Sequence, residues 1–155
     1  MMTSDSGYRE FGRVLVADED DGERGLLTML LNAHGYEAEG VASGEAALAQ
    51  LSLHEFDLVL LDAELRPSLD GLELLAAARQ LAPDARFVML TTFATVDMAL
   101  EAMTQGASDY LRKPLHADEL LRVITRSLPE HAGQLTRRAP TAAVTLSLRT
   151  QSTTH

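Results

Sequence analysis

The strongest strand signal in the chain is the stretch Phe56-Asp57-Leu58-Val59-Leu60-Leu61-Asp62. Its apolar residues are continuous rather than alternating, which is typical of a strand that is covered on both faces of a parallel sheet. Helical apolar spacing precedes it over residues 44–53 and follows it through Leu72, Leu75 and Ala78. A buried strand between two amphipathic helices indicates an α/β fold.

Four further strand patterns alternate with helical patterns in the same way. We expect these strands near residues 14–17, 36–42, 87–90 and 110–111, and the other helices near residues 26–31, 95–105 and 117–127. Five βα units with short connections and right-handed crossovers predict a parallel sheet with helices on both faces. The sequence therefore predicts a doubly wound five-stranded α/β domain, with its functional site at the carboxyl ends of the strands.

The composition excludes several classes of function. The chain has 155 residues, of which 46% are hydrophobic and 23% charged, and this fits one globular domain with room for a tail. It contains no cysteine, so a disulfide framework, a thiolate zinc site and a cysteine nucleophile are ruled out. The net charge of −10 disfavours direct nucleic-acid binding by the folded part, since lysine and arginine supply that affinity.

The sequence also predicts the location and the extent of the domain. The apolar runs are too short to cross a bilayer and the N-terminus lacks a signal-peptide pattern, so we expect a cytoplasmic protein without membrane contact. Residues 1–10 are expected to be a flexible N-terminus and residues 11–128 the domain. Residues 129–155 are rich in Ser, Thr and Ala and are expected to be a linker or tail. The domain would then be either a stand-alone unit or a fragment of a longer chain.

Residues that can carry chemistry follow four of the five predicted strands. Asp18 and Glu19 follow the first strand, Asp62 ends the third, Thr91 ends the fourth, and Lys113, the only lysine in the chain, follows the fifth. Because the carboxyl ends of parallel strands share one edge, these side chains should lie close together. Clustered carboxylates repel, so either raised pKa values or a cation must neutralise them, and Mg²⁺ suits oxygen ligands.

This set of residues suits phosphoryl transfer to an aspartate. An aspartate beside Mg²⁺ can attack a phosphoryl group and form an acyl phosphate. Thr91 and Lys113 would supply a hydroxyl and an ammonium to the added negative charge. Taken singly, each residue also has an ordinary structural explanation, such as a helix-start cluster at 18–21. Their joint placement at four strand ends favours the functional interpretation.

The order and spacing of these segments resemble the receiver domains of two-component response regulators over about residues 11–128. The matching segments are 14–20, 56–62, 67–71, 88–91 and 106–114. The resemblance implies a flavodoxin-like, CheY-like (βα)5 receiver fold with strand order 2-1-3-4-5. It also implies a phosphoacceptor signalling domain rather than an enzyme, whose own chemistry is at most self-phosphorylation from small phosphodonors and slow self-dephosphorylation.

By position, the resemblance assigns the phosphoacceptor and the metal ligands. Asp62 would accept a phosphoryl group from the phosphohistidine of a sensor histidine kinase or a phosphotransfer protein. The magnesium ligands would be Asp18, Glu19, Asp62 and the backbone carbonyl of Glu64. Mg²⁺ would be the only cofactor.

The resemblance also assigns the residues that read the phosphorylated state. Thr91 and Lys113 would bind the phosphoryl group, and Tyr110 would be an aromatic switch that turns inward when Thr91 moves. A cis peptide bond before Pro114 would aim Lys113. The output surface would be the fourth helix, fifth strand and fifth helix, which would contact an effector or output domain or form a homodimer. Residues 92–103 resemble receivers that are joined to transcription activators.

The sequence departs from the family pattern in the loops around this site. Pro67 lies five residues after Asp62, where the family usually has four, and Thr92 stands where a small residue is common. Phe93 and Glu64 flank the approach of a hydrolytic water, so we expect slow self-dephosphorylation.

Two other functions stay open at this point. The first is an interaction module with the receiver fold that is never phosphorylated. The second is a phosphatase of the haloacid-dehalogenase type, whose motif requires Asp-x-Asp-x-Thr after the first strand. Residues 18–21 nearly fit that motif, but Gly22 occupies the threonine position.

Overall fold

A five-stranded parallel sheet is the centre of the fold. The structure is a computed structural model that describes residues 12–65, 71–92 and 96–128. The strands are β1 (Arg13–Ala17), β2 (Glu37–Val41), β3 (Leu58–Asp62), β4 (Arg86–Thr91) and β5 (Asp109–Arg112). Their order is β2-β1-β3-β4-β5, and every pair is parallel. The predicted fold class and strand order are confirmed.

Five helices connect the strands and cover both faces of the sheet. They are α1 (Asp21–Ala33), α2 (Gly44–Leu53), α3 (Gly71–Leu81), α4 (Val96–Thr104) and α5 (Ala117–Ser127). Buried residues of α1 and α5 pack on one face, and buried residues of α2, α3 and α4 pack on the other. The helices lie where they were predicted, but α1 begins five residues before its predicted range of 26–31, and β3 begins two residues after the start of its apolar run.

The two core layers explain why β3 is apolar throughout. Leu58 and Leu60 pack in the layer with α1 and α5, whereas Val59 and Leu61 pack in the layer with α2 and α3. Successive side chains of a strand point to opposite faces, and all four of these residues are completely buried. Full burial of one such side chain stabilises a fold by about 1.5–3 kcal/mol. Asp62 is the first polar residue of β3, and it lies where the strand ends.

Side-chain caps fix the starts of α1 and α2 at the carboxyl ends of the strands. The carboxylate of Asp20 accepts a hydrogen bond of 3.1 Å from the backbone N–H of Glu23 at the start of α1. The hydroxyl of Ser43 accepts one of 3.1 Å from the backbone N–H of Ala46 at the start of α2. Such caps satisfy N–H groups that have no partner within the helix. They hold the loops after β1 and β2 next to the end of the sheet.

Several sequence predictions lie outside the described residues. These are the N-terminal segment 1–10, the tail 129–155, the one-residue extension at Pro67 and the shielding role of Phe93. They stay predictions, as do the domain boundaries at residues 11 and 128. Within the described part of the chain, no helix combines the length and the apolar character that crossing a lipid bilayer requires.

The first residue of α3 approaches the end of β3 closely enough to give a stability prediction. A methyl group on Gly71 would lie 2.6 Å from the backbone oxygen of Ala63, whereas one on Gly25, inside α1, would meet no atom within 4 Å. We expect Gly71→Ala to lower the free energy of unfolding by about 1–3 kcal/mol through overpacking. Gly25→Ala should raise it by about 0.5–1 kcal/mol because alanine favours the helix.

Urea unfolding followed by circular dichroism measures both changes. The two glycine variants have the same change in composition, so they control for each other. A Gly71→Ala protein as stable as Gly25→Ala would contradict the close approach of α3 to β3.

Candidate functional site

The ends of β1, β3, β4 and β5 bring the predicted polar residues to one edge of the sheet. Asp18, Asp62 and Thr91 are buried, and Lys113 is partly buried. Backbone hydrogen bonds continue the sheet into these positions, because the N–H of Asp18 donates to Val41 O at 3.0 Å and the N–H of Lys113 donates to Thr91 O at 2.8 Å. The backbone therefore fixes where each side chain leaves the sheet.

The ammonium group of Lys113 joins three carboxylates. Its Nζ lies 3.0 Å from Oδ2 of Asp62, 3.1 Å from Oε1 of Glu23 and 3.7 Å from Oδ2 of Asp18. Burial alone would lower the pKa of Lys113, but the hydrogen bonds with Asp62 and Glu23 and the charge of Asp18 raise this pKa above its usual value. Lys113 therefore stays charged. The peptide bond between Lys113 and Pro114 is cis, as the resemblance implied.

Asp18 is a buried carboxylate whose two oxygens have different surroundings. Its Oδ1 accepts a hydrogen bond of 2.9 Å from the N–H of Asp20, whereas its buried Oδ2 has no hydrogen-bond partner among the described residues. Burial, helped by the nearby Glu23, raises the pKa of Asp18 to about 7 against the opposing effects of the Asp20 backbone hydrogen bond and of Lys113. The raised pKa of Asp18 and the charge of Lys113 both lower the repulsion among these carboxylates, and the predicted Mg²⁺ stays a prediction.

One oxygen atom at this edge has the character of a ligand for a hard divalent cation. Oδ2 of Asp18 is a buried carboxylate oxygen that accepts no hydrogen bond from the described residues, and Mg²⁺ prefers oxygen ligands of this kind. The side chains of the described residues do not form a group of three or more His, Asp or Glu that is arranged to hold a metal ion, and Glu19 is exposed. The predicted ligand set of Asp18, Glu19, Asp62 and the Glu64 carbonyl therefore stays a prediction.

Glu64 enters the site through its side chain as well as its backbone. Its N–H donates to Oδ1 of Asp62 at 2.9 Å, its Oε2 accepts a hydrogen bond of 2.5 Å from the Thr91 hydroxyl, and its Oε1 accepts one of 3.2 Å from the N–H of Thr92. The sequence analysis gave Glu64 a role as a carbonyl ligand and a place beside the approach of a hydrolytic water, but it predicted no contact with Thr91. A carboxylate two residues beyond a strand gives no sequence signal for the direction in which it points.

Two residues of α1 also belong to the site and were missed from the sequence. Glu23 binds Lys113, and Arg24 donates from Nη1 to the backbone oxygen of Asp18 at 2.9 Å and from Nη2 to Oδ1 of Asp21 at 2.6 Å. Acidic residues are favoured in the first turn of a helix, where the dipole is positive. A search of the first turn of α1 would have found Glu23, because this turn begins at the end of β1.

Tyr110 lies beside the site on β5. It pairs with Met89 of β4 in the sheet, is half-buried, and packs against the core layer that contains α2 and α3. The position is compatible with core packing and with the predicted switch, and the switch stays a prediction.

Comparison with known protein families matches residues 14–125 to the response regulator receiver domain. The chain belongs to this family. Receiver domains serve phosphorylation-based two-component signalling, so this domain is a signalling domain and not a classical enzyme. That assignment decides against the phosphatase of the haloacid-dehalogenase type.

Sequence relatives include one much longer protein and one of similar length. The receiver is 40% identical over 114 residues to the response regulator protein FleR of Pseudomonas aeruginosa. This alignment covers 74% of the chain and 24% of FleR. It is 32% identical over 117 residues to sporulation initiation phosphotransferase F of Bacillus subtilis. This second alignment covers 76% of the chain and 94% of that protein. The chain thus spans about a quarter of the length of FleR.

Solved structures share the fold. A CheY-like receiver domain protein from Methanospirillum hungatei is 31% identical with a TM-score of 0.72, and the match covers 79% of this chain and 97% of that one. A response regulator protein from Burkholderia pseudomallei, solved with a phosphorylated aspartic acid, a calcium ion and citrate, is 28% identical with a TM-score of 0.69. That match covers 83% of this receiver and 75% of the other chain.

The raised pKa of Asp18 predicts a pH-dependent effect of its substitution. Between its usual pKa of 3.8 and its value of about 7 in the fold, the folded protein binds more protons at Asp18 than the unfolded chain does. This contribution to stability is present at low pH and is lost as the pH rises through about 7. In metal-free buffer, Asp18→Asn should therefore gain stability relative to wild type by about 1–3 kcal/mol between pH 5 and pH 8.

Chemical unfolding at several pH values measures this difference. Asp84→Asn, an exposed change in the turn before β4 at the opposite edge of the sheet, is the matched control for replacing a carboxylate by an amide. Millimolar Mg²⁺ should stabilise wild type more than Asp18→Asn. A constant difference between Asp18→Asn and wild type from pH 5 to pH 8 would exclude the proposed proton uptake.

Proposed function

We propose that this receiver accepts a phosphoryl group on Asp62 from the phosphohistidine of a sensor histidine kinase or a phosphotransfer protein. The observation that carries the proposal is the contact of 3.0 Å between Lys113 Nζ and Asp62 Oδ2 at the buried end of β3. This ammonium, with the N–H of Glu64 on Oδ1, holds the carboxylate in one orientation. Asp18 and Glu19, with Asp62 and the Glu64 carbonyl, would hold Mg²⁺.

The proposed reaction exchanges one bond to phosphorus for another. A carboxylate oxygen of Asp62 attacks the phosphorus atom, and the bond from phosphorus to the donor imidazole nitrogen breaks. The leaving imidazole takes back its electron pair, and the product is an acyl phosphate. Lys113 and Thr91 stabilise the charge on the phosphoryl oxygens. Bound Mg²⁺ supplies positive charge that offsets the surplus of carboxylates at this edge.

Phosphorylation would act on the rest of the domain by shifting a population. The added charge draws the Thr91 hydroxyl and the Lys113 ammonium toward Asp62, and it favours one of two arrangements that the domain already samples. Tyr110 would follow Thr91 inward. The output surface would be α4, β5 and α5.

The solvent face of α4 supports this choice of output surface. Val96, Leu100 and Met103 are 75%, 61% and 46% exposed, and their spacing of four and three residues places them along one side of the helix. An exposed apolar stripe of this kind is typical of a protein contact. We propose that a second copy of the domain, or an effector, covers the stripe after phosphorylation.

The context of the whole protein is part of the proposal. The relatives FleR and ZraR, the latter a transcriptional regulatory protein, are about four times as long as the matched region. We propose an output domain or a separate effector as the partner of this receiver, and a cytoplasmic location. The receiver itself would make no direct contact with nucleic acid or membrane.

Phosphorylation can be tested directly with a small phosphodonor. Incubation of the protein with Mg²⁺ and acetyl phosphate should add one phosphoryl group, which base should remove, and intact mass spectrometry measures both. Asp62→Ala should abolish the gain, whereas the exposed change Asp84→Ala should keep it.

Once the donor is removed, the wild-type label should persist, and a half-life of seconds would contradict slow self-dephosphorylation. No gain in wild type would favour the unphosphorylated interaction module.

The homodimer is tested by charging the α4 stripe. Sedimentation velocity should show a shift toward dimer when Mg²⁺ and beryllofluoride, a phosphoryl mimic, are added to wild type. Leu100→Glu should weaken this dimer at least about tenfold, because a charge would be buried in the contact. Leu53→Glu on α2, where the leucine is 72% exposed, is the matched control and should dimerise like wild type. Equal dimerisation of both variants would exclude the α4 stripe as the contact.

A further inference from the structure

The carboxylate of Glu64 connects the loop after β3 to the end of β4. Its Oε2 accepts the Thr91 hydroxyl at 2.5 Å, and its Oε1 accepts the N–H of Thr92 at 3.2 Å. The backbone of Glu64 is itself anchored, because its N–H donates to Oδ1 of Asp62 at 2.9 Å and the next residue, Leu65, is buried. The side chain is thus held at both ends, next to the proposed phosphoacceptor.

The hydroxyl of Thr91 cannot serve two acceptors at once. A threonine hydroxyl has a single proton to donate, and in this structure that proton is directed to Glu64. A phosphoryl group on Asp62 needs the same proton. Phosphorylation can therefore engage Thr91 only if the Thr91–Glu64 hydrogen bond breaks.

We propose that Glu64 is a positioning residue. In the unphosphorylated domain its carboxylate accepts the Thr91 hydroxyl that the phosphoryl group would otherwise bind, and it thereby holds Thr91 in the unphosphorylated arrangement. This inference rests on the proposed phosphorylation of Asp62. The phosphoryl group competes with Glu64 for the Thr91 hydroxyl, and its negative charge repels the Glu64 carboxylate at the same time. Release of Glu64 also frees the N–H of Thr92. Thr92 directly follows β4, on the side of the strand where the chain continues to α4.

The proposal predicts that the domain binds a phosphoryl mimic more tightly without the Glu64 carboxylate. Glu64→Ala removes a hydrogen bond to a charged acceptor, and this bond stabilises only the unliganded state. We therefore expect the half-saturating beryllofluoride concentration to be about 5- to 20-fold lower in Glu64→Ala than in wild type. Glu64→Gln, which keeps an acceptor oxygen but loses the charge, should lie between wild type and Glu64→Ala. NMR titration with beryllofluoride in the presence of Mg²⁺ measures these values.

Two controls separate this effect from a simple change in charge. Asp84→Ala removes one exposed carboxylate at the opposite edge of the sheet and should leave half-saturation within about twofold of wild type. In a Thr91→Val background, Glu64→Ala should lose most of its effect, since the hydroxyl that it releases is absent. A full effect of Glu64→Ala in that background would overturn the proposal.

A second measurement needs neither phosphoryl mimic nor metal. The Thr92 amide should exchange its hydrogen with solvent faster in Glu64→Ala than in wild type, because Glu64 accepts that hydrogen. Unchanged Thr92 exchange would overturn the role of Glu64 even if Asp62 is phosphorylated. Conversely, if wild type neither binds beryllofluoride nor gains mass, the proposed function fails, while faster Thr92 exchange would still show that Glu64 holds the end of β4.

Discussion

A single ammonium group among three carboxylates is the interaction on which the site depends. Lys113 lies within 3.7 Å of Asp18, Glu23 and Asp62, so its one positive charge cannot balance three negative charges. Two like charges 4 Å apart repel by about 4 kcal/mol at an effective dielectric constant of 20. Burial is the main cause that raises the pKa of Asp18, and the nearby Glu23 acts in the same direction. The same deficit of positive charge is why a divalent cation suits this edge of the sheet.

The sequence predicted the positions of the main residues because backbone rules determine them. The unbroken apolar run of β3 required cover on both faces, and parallel strands then had to bring their carboxyl ends together. Asp62, Thr91 and Lys113 are each fixed by the end of a strand, so knowing the strands was enough to place them at one edge. The cap of α2 by Ser43 follows from the same kind of local rule.

Side-chain direction could not be predicted in this way. Glu64 lies on a loop whose length and neighbours leave several directions open, and its bond to Thr91 depends on the distance between the ends of β3 and β4. Glu23 reaches Lys113 because α1 packs back against β1. Both contacts join residues far apart in the sequence, so the local pattern can place Glu23 and Glu64 near this edge but cannot predict which residue each one contacts.

These contacts share one feature: the site has more acceptors than donors. Asp18, Glu23, Asp62 and Glu64 offer carboxylate oxygens, whereas Lys113 and Thr91 offer the side-chain protons that serve them. In the proposed function, a phosphoryl group on Asp62 would add further acceptor oxygens and no donor, so it would compete for hydrogen bonds that Lys113 and Thr91 already make. Each hydrogen bond taken in this way would release another residue. A local modification would thereby become a rearrangement at the end of β4.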